Sequence, residues 1–396
     1  MTLMRVEALL TAVIGLGALS IDMFLPSLPT IAAVFATDPA TAQLTVTLFL
    51  IAFAVSQLVC GPLSDRFGRR GVLLAGLALY SAAGLACAAA PSIAVLVGAR
   101  VLQALGGGSG PVVARAVVRD LHDRDRAARV FSYMATVQAL NPMLAPVVGG
   151  YVHEAFGWRA IFVVLGGLGA LFLILMIAGV RETNIRRDPT ALRWDQLGRN
   201  VAVLLGDRSY LAYVLANALM FGGQFAFISG SSFVLIGALG VSPGAFGLCF
   251  GAVAFGIMTG TFLSGRFGGR LGLDRTILSG TALGAAAGVL LAGLAWSGIL
   301  TVPTVVGPMF VFAVGLGLTL PNGMAGAIGP FPAMAGLAAA VAGFLQLTLS
   351  ALYSVAVGHF DDGTARPMTA AIALAGLAAL GCFWGLGRRR PPSVLA

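Results

Sequence analysis

Long apolar runs recur along the whole 396-residue chain, with short polar stretches between them. A run of about 20 apolar residues crosses some 30 Å of hydrocarbon as a helix. The pattern predicts twelve spanning helices, at 6–27, 42–62, 71–90, 92–113, 130–152, 160–180, 209–230, 243–265, 272–296, 303–322, 330–357 and 368–386. The longest polar segment, 181–208, contains Arg186-Arg-Asp-Pro189 and divides the spans six and six. The expected organisation is a six-helix bundle over 1–182, a linker over 183–208 and a second six-helix bundle over 209–396. The first run follows Arg5, as the apolar part of a signal peptide would. It is too long for that role, no A-x-A-like site follows, and Asp22 and Pro26 stand where cleavage would fall, so an uncleaved helix is expected.

Composition makes the bilayer the solvent. The chain is 58% hydrophobic and only 10% charged, against about 25% charged in soluble domains. The net charge of +9 invites a nucleic-acid reading, but every basic residue is arginine and their placement argues otherwise. With the N-terminus in the cytoplasm, 21 of the 24 arginines fall on the cytoplasmic side, Arg159 and Arg366 fall outside, and Arg100 lies within a span. That positive-inside asymmetry puts both termini in the cytoplasm and reports orientation against anionic lipid, with no nucleic-acid partner. Cys60, Cys87, Cys249 and Cys382 sit on four different spans and read as small apolar packing residues. His122, His153 and His359 are too scattered for a metal site, and none is expected.

No cofactor is expected, and no energy source other than a gradient is visible, because a phosphate-binding Walker loop needs a lysine and the chain has none. Gly107-Gly-Ser109-Gly-Pro111 approaches a nucleophile elbow, but Pro111 holds the second glycine position, and the run reads as close-packing glycines. The chain is therefore expected not to be an enzyme.

A charge inside a span is costly and marks function by default. Two lie well inside, Asp22 and Arg100, at similar depth in the outer half of the membrane, where they would face one cavity or pair. Asp22 shares a helical face with Ala18, Gly15 and Thr11, which suits a cavity wall; it equally suits a carboxylate capping a kinked helix end near Pro26 and Pro29. Arg100 reads as a coupling residue or as a carbonyl clamp between helices. Three further spans carry polar residues on one face: Met134, Gln138, Asn141, Ala145 and Gly149; Asn217, Phe221 and Gln224; and Gly343, Gln346 and Ser350. Such faces avoid lipid and line either helix contacts or a cavity. Methionine beside amides suits a loosely selective pocket for lipophilic molecules.

Between the second and third spans, Gly61-Pro-Leu-Ser-Asp65-Arg66-Phe-Gly68-Arg69-Arg70-Gly71 places a carboxylate and three guanidiniums in what reads as a tight turn at the membrane surface. Gly61 and Gly68 would allow close approach, and Asp65 would bond amides or arginines across the turn as a conformational latch; the arginines would otherwise anchor to lipid heads. A weak echo, Gly260-Thr-Phe-Leu-Ser-Gly265-Arg266-Phe-Gly268-Gly-Arg270, follows the second span of the second half and lacks the Asp. Two related halves fit a transporter built from parallel repeats.

These residues resemble a known family. The 61–71 segment is similar to the signature of the major facilitator superfamily, and Arg100-Val-Leu-Gln103-Ala-Leu-Gly106-Gly resembles the fourth-helix motif of its proton-coupled members. Asn141-Pro-Met-Leu-Ala145-Pro146-Val-Val-Gly149-Gly150 resembles the fifth-helix antiporter motif, with Ala145 where Gly is usual. Ile21-Asp22-Met-Phe-Leu-Pro26-Ser-Leu-Pro29 and Gly157-Trp158-Arg159-Ala-Ile-Phe162 resemble the bicyclomycin- and chloramphenicol-resistance (Bcr/CflA) branch of drug–proton antiporters. The resemblance implies an all-α integral membrane fold of twelve helices, in two bundles related by a pseudo-two-fold axis along the membrane normal. It implies that Asp22 is the proton and cation site, that Arg100 tunes it, and that Asp65 belongs to a latch. It places Met134 and Gln138 on a cavity and implies export rather than uptake. The expectation is proton-coupled efflux of lipophilic drugs across a bacterial cytoplasmic membrane by a monomer. The alternative is a proton-coupled symporter importing a metabolite, which the absence of a carboxylate well inside any span of the second half disfavours.

Overall fold

The computed structural model describes residues 3–184 and 194–387, and no strand occurs among them. Arg186, Arg187 and Arg193 of the linker, and Arg388, Arg389 and Arg390, lie outside the described residues. The chain divides into two compact units, unit 1 formed by Met1–Arg193 with Ser242–Leu248, and unit 2 by Trp194–Val241 with Cys249–Ala396.

Unit 1 opens with α1 (Leu3–Asp22), which ends on the carboxylate singled out above. A 3-10 turn at Leu25–Ser27 and a short α2 (Leu28–Val34) carry the chain onward. Pro26 and Pro29 occupy the first turns of these two elements, where a missing N–H costs little. There follow α3 (Pro39–Phe67), α4 (Arg69–Ala88), α5 (Ile93–Gly107), α6 (Ser109–Leu121), α7 (Arg124–Phe156) and α8 (Trp158–Gly179). Asp38, Ser92 and Asp123 cap α3, α5 and α7 by accepting from backbone N–H groups three residues on.

Two expected boundaries are corrected. The second span continues as helix through Gly61 and Asp65 to Phe67, so the supposed tight turn is a single residue, Gly68, at φ 106°. The helix of the fourth span does not stop at residue 113; α6 continues to Leu121, and the candidate helix Ile93–Leu121 therefore contains Arg115 and Arg119.

In unit 2, α9 (Trp194–Gly206) turns the end of the expected linker into a helix. After it come α10 (Arg208–Ser232), α11 (Pro243–Leu271), α12 (Leu273–Trp296), α13 (Val302–Ile328), α14 (Ala335–His359) and α15 (Arg366–Gly387). Among the described residues, eleven stretches are long and apolar enough to cross a bilayer. The twelfth expected span is α7, whose interior carries Gln138, Asn141, Pro142 and Pro146.

The two units repeat one pairing scheme. In unit 1, α4 packs on α5 and α8, and α1 on α7; in unit 2, α12 packs on α13 and α15, and α10 on α14. Glycine makes the same contact in both: a Cβ on Gly106 of α5 would lie 2.5 Å from the Gly76 carbonyl of α4, and one on Gly315 of α13 2.4 Å from the Gly280 carbonyl of α12. Small residues let helix backbones approach where lipid supplies no hydrophobic drive for association. Leu85, Val163, Ile174, Leu290 and Leu374 are exposed on outward faces, as a hydrocarbon solvent permits.

Candidate functional site

The arginine-rich end of unit 1 is a stitched network. Arg69 is buried; its Nη1 pairs with Asp65 Oδ1 at 2.5 Å and donates to Ser64 Oγ at 2.7 Å, and its Nε reaches Asp120 Oδ2 at 3.2 Å. Arg70 donates to the carbonyls of Val180 and Ile177 at the end of α8. Arg66 lies over the Phe67 ring at 5.3 Å and joins no ion pair among the described residues, so it keeps the place of a headgroup anchor. Gly68 is required by its positive φ and by Glu182, whose carboxylate sits 2.5 Å from where a Cβ would be. Gly61 is not needed for close approach: a Cβ there makes only ordinary contact, 3.6 Å from Val112.

Glu182 closes the stitch. Its carboxylate accepts the backbone N–H of Arg69 and Arg70, the orphan donors at the start of α4, and those of Thr183 and Asn184. Asn184 Nδ2 donates to the Ser64 and Asp65 carbonyls at the end of α3. Partial burial pushes the Glu182 carboxyl up, but the four N–H donors outweigh it and hold it below its ordinary value of 4.5.

Asp22 stands apart from the other described acids of unit 1. Among the described side chains there, Glu7, Asp38, Asp65, Asp120, Asp123, Glu154 and Glu182 each have a hydrogen-bond or ionic partner. Asp22 is buried, 5% exposed, and among the described residues no hydrogen bond or ion pair reaches its carboxylate. It is also the last residue of α1, so it does sit at a helix end. The polar face of α7 runs along α1 beneath it: Asn141 Nδ2 donates to the Gly15 carbonyl at 2.7 Å, and Gly149 abuts Met23 so closely that a Cβ would fall 1.9 Å from its carbonyl oxygen. Ala145 and Pro146 are buried in the same helix, and Gly150 meets Pro243 and Gly244, in the Ser242–Leu248 segment that packs as part of unit 1.

Arg100 does not pair with Asp22. Fully buried on α5, its guanidinium lies 4.1 Å from the Phe49 ring centre, 4.9 Å from Phe24 and 5.7 Å from Phe162. Nη1 donates to Gln103 Oε1 at 2.8 Å and Nε to the Thr45 carbonyl at 3.4 Å. Three aromatic faces and two oxygens thus hold a cation that no described carboxylate pairs with. The arrangement is that of a clamp binding α5 to α3, α8 and the turn that follows Asp22.

The remaining expected residues divide. Met134 is buried, and Gln138 Oε1 accepts from Arg115 Nη2 at 3.3 Å. In unit 2, Asn217 is a packing group, donating to the Leu320 carbonyl at 3.2 Å. Phe221 tilts against Phe225 at 5.1 Å, Gln224 is buried with its Oε1 unbonded, and Gln346 is half-buried, its carbonyl accepting from Ser350 Oγ at 2.7 Å. Ser109 is buried and donates to the Gly106 carbonyl at 2.7 Å, the geometry of packing.

The family model of the Major Facilitator Superfamily matches residues 10–354. The chain belongs to that superfamily. It is 31% identical over 368 residues to a bicyclomycin resistance protein homolog of Haemophilus influenzae, covering 90% of this chain and 91% of that one. It is 33% identical over 330 residues to a chloramphenicol resistance protein of Pseudomonas aeruginosa, covering 82% and 77%. A bacterial homolog of the human lysosomal transporter Spinster, solved in an inward-facing and occupied conformation, shares the fold at a TM-score of 0.76 and 16% identity, over 98% of each chain. The fold is thus the twelve-helix fold of major facilitator transporters, a multi-pass membrane architecture.

Sequence reasoning about this major facilitator protein missed Glu182, Asn184 and Asp120. All three sit in polar stretches, where a charge or amide is ordinary and carries no signal. Glu182 makes a test of the stitch. A carboxyl held below 4.5 stabilises the fold fully above that pH, and the contribution is lost as pH falls through its folded value. Glu182→Gln is therefore expected to lower Tm by several degrees at pH 7, and the gap to wild type should narrow at about pH 3.5. Thermal unfolding in detergent at the two pH values measures it; an equal gap at both removes the charge from the account.

Proposed function

We propose that this transporter exports lipophilic drugs in exchange for protons across a bacterial cytoplasmic membrane, with both termini on the cytoplasmic side. The observation that carries the reading is Asp22, a buried carboxylate with no hydrogen-bond or ion-pair partner among the described residues. An isolated buried charge is expensive, and a proton or a cationic partner relieves the cost. Asp22 takes a proton from outside, drug arriving from the cytoplasm or inner leaflet competes with the protonated state, and alternating access exchanges the two. Arg100 acts through Phe24, two residues from Asp22, by fixing the turn on which the acid sits. The stitch around Arg69 steadies the bend between α3 and α4 as a conformational latch. In unit 1, Met134, Gln138 and Asn141 are proposed cargo contacts; in unit 2, taken by itself, Phe221, Gln224 and Gln346 are.

The drug-resistance names of the relatives support cargo of the chloramphenicol or bicyclomycin kind. The energetics suffice: one charge crossing about 150 mV supplies roughly 3.5 kcal/mol, which sustains about a 300-fold gradient of a neutral drug. The test is proton flux in everted vesicles that hold a pH gradient. Chloramphenicol or bicyclomycin should collapse the gradient in vesicles containing the protein and not in empty ones. A drug-independent gradient across a panel of lipophilic antibiotics, with no change in growth inhibition on expression, would falsify the proposal.

A further inference from the structure

Arg115 sits in an unexpected place. It lies within α6, six residues or about 9 Å before the helix ends at Leu121. An arginine near a span end ordinarily stretches its head back toward the headgroups. Arg115 does the reverse. Its Nη2 donates to Gln138 of α7, one turn below Asn141, which is itself bonded to Gly15 in the second half of α1. The guanidinium is therefore drawn toward the middle of the bundle.

Three further facts define what it can do. The residue stays exposed although its helix continues a candidate span. A guanidinium offers five N–H donors, and the 3.3 Å contact to Gln138 is its single hydrogen bond among the described residues. Among the described residues no carboxylate lies within ion-pair distance: Asp120 is engaged by Arg69, Glu7 by Arg126 and His122, and the next charge along the same face of α6 is another cation, Arg119. A guanidinium turned from the headgroups toward the bundle is costly against acyl chains, so its face opens on water or on cargo.

We infer that Arg115, oriented by Gln138, is the cargo-reading cation of the export path, and that it selects lipophilic molecules bearing a planar two-oxygen acceptor, a carboxylate or a nitro group. The guanidinium fork matches two coplanar oxygens with parallel N–H bonds, which an ammonium does not. The same charge disfavours permanent cations. The inference rests on the export reading above and names the cargo class for it.

The experiment uses three fluorescent probes sharing one apolar body, with a carboxylate, a methyl ester or a trimethylammonium group. Export by wild type, Arg115→Gln and Arg115→Lys is measured in energised vesicles. For the carboxylate probe, KM should rise at least tenfold in Arg115→Gln and less in Arg115→Lys; for the ester it should stay within threefold; for the trimethylammonium probe it should fall in Arg115→Gln. A carboxylate KM within twofold of wild type in Arg115→Gln overturns the inference. So does an equal loss for all three probes, which marks a purely structural arginine. Export of the ester probe also separates the two proposals: if wild type does not export it against a proton gradient, the exporter reading fails, whatever Arg115 does.

Discussion

Asp22→Asn is expected to abolish drug-driven proton release. Drug added to the purified, weakly buffered wild-type protein should displace about one proton per molecule bound, because one unpartnered acid is available to give it up. Asparagine keeps the size and hydrogen-bonding shape of the side chain and cannot titrate. Release should fall at least tenfold, to the background of groups that are already bonded: Glu7 held by Arg126, Glu154 by the Gly244 N–H, Asp65 and Asp120 by Arg69. Neutral drugs should still bind, because the substitution removes a charge from a buried site and costs no ion pair. The variant should unfold at a temperature equal to or above that of wild type. Undiminished release from Asp22→Asn, with drug binding verified in the same sample, would remove this residue from proton exchange.

The second large effect is expected from Gly149→Ala. The added methyl would enter the backbone of Met23, 1.9 Å from its carbonyl oxygen and 2.7 Å from its carbonyl carbon. A backbone atom cannot rotate aside as a side chain can, so α1 and α7 must part at the residue next to Asp22. Overpacking of this kind costs about 1–3 kcal/mol. Export should drop at least tenfold, with the protein still inserted and folded. Gly167→Ala is the matched control: no atom lies within 4 Å of its Cβ position in α8, and helix propensity alone favours the change by about 1 kcal/mol. It should export as wild type does. Equal export by both variants would show that close contact between α7 and the Met23 carbonyl has no part in transport.

Hydropathy located the spanning helices because lipid demands apolar surface along each of them. It failed at their ends for the same reason. The pattern measures the hydrocarbon slab, whereas a helix ends where its backbone geometry breaks. Hence α3 runs on through Ser64-Asp-Arg-Phe67 to the positive φ of Gly68, α6 through Arg115 to Leu121, and the polar stretch from Trp194 forms α9. Asp22 and Arg100 were legible as charges in apolar runs. Their surroundings were not: the faces around Arg100 come from Phe24, Phe49 and Phe162, on segments far apart in sequence and without any local pattern. The similar depth of the two charges suggested a partnership that side-chain direction rules out. Arg115 was read as a surface charge because the apolar run fades before it, and only the contact with Gln138 reveals which way it points.

The bonds from Glu182 and Asn184 also bear on how the first bundle is made. A growing chain presents the ends of α3 and α4 long before it presents these two residues. Until Asn184 has left the ribosome, the first amides of α4 and the Asp65 carbonyl of α3 lack their protein partners. A fragment cut at residue 181 would carry every spanning helix of the amino-terminal half and still be unfinished, since its seam is closed by residues that follow the last of those helices.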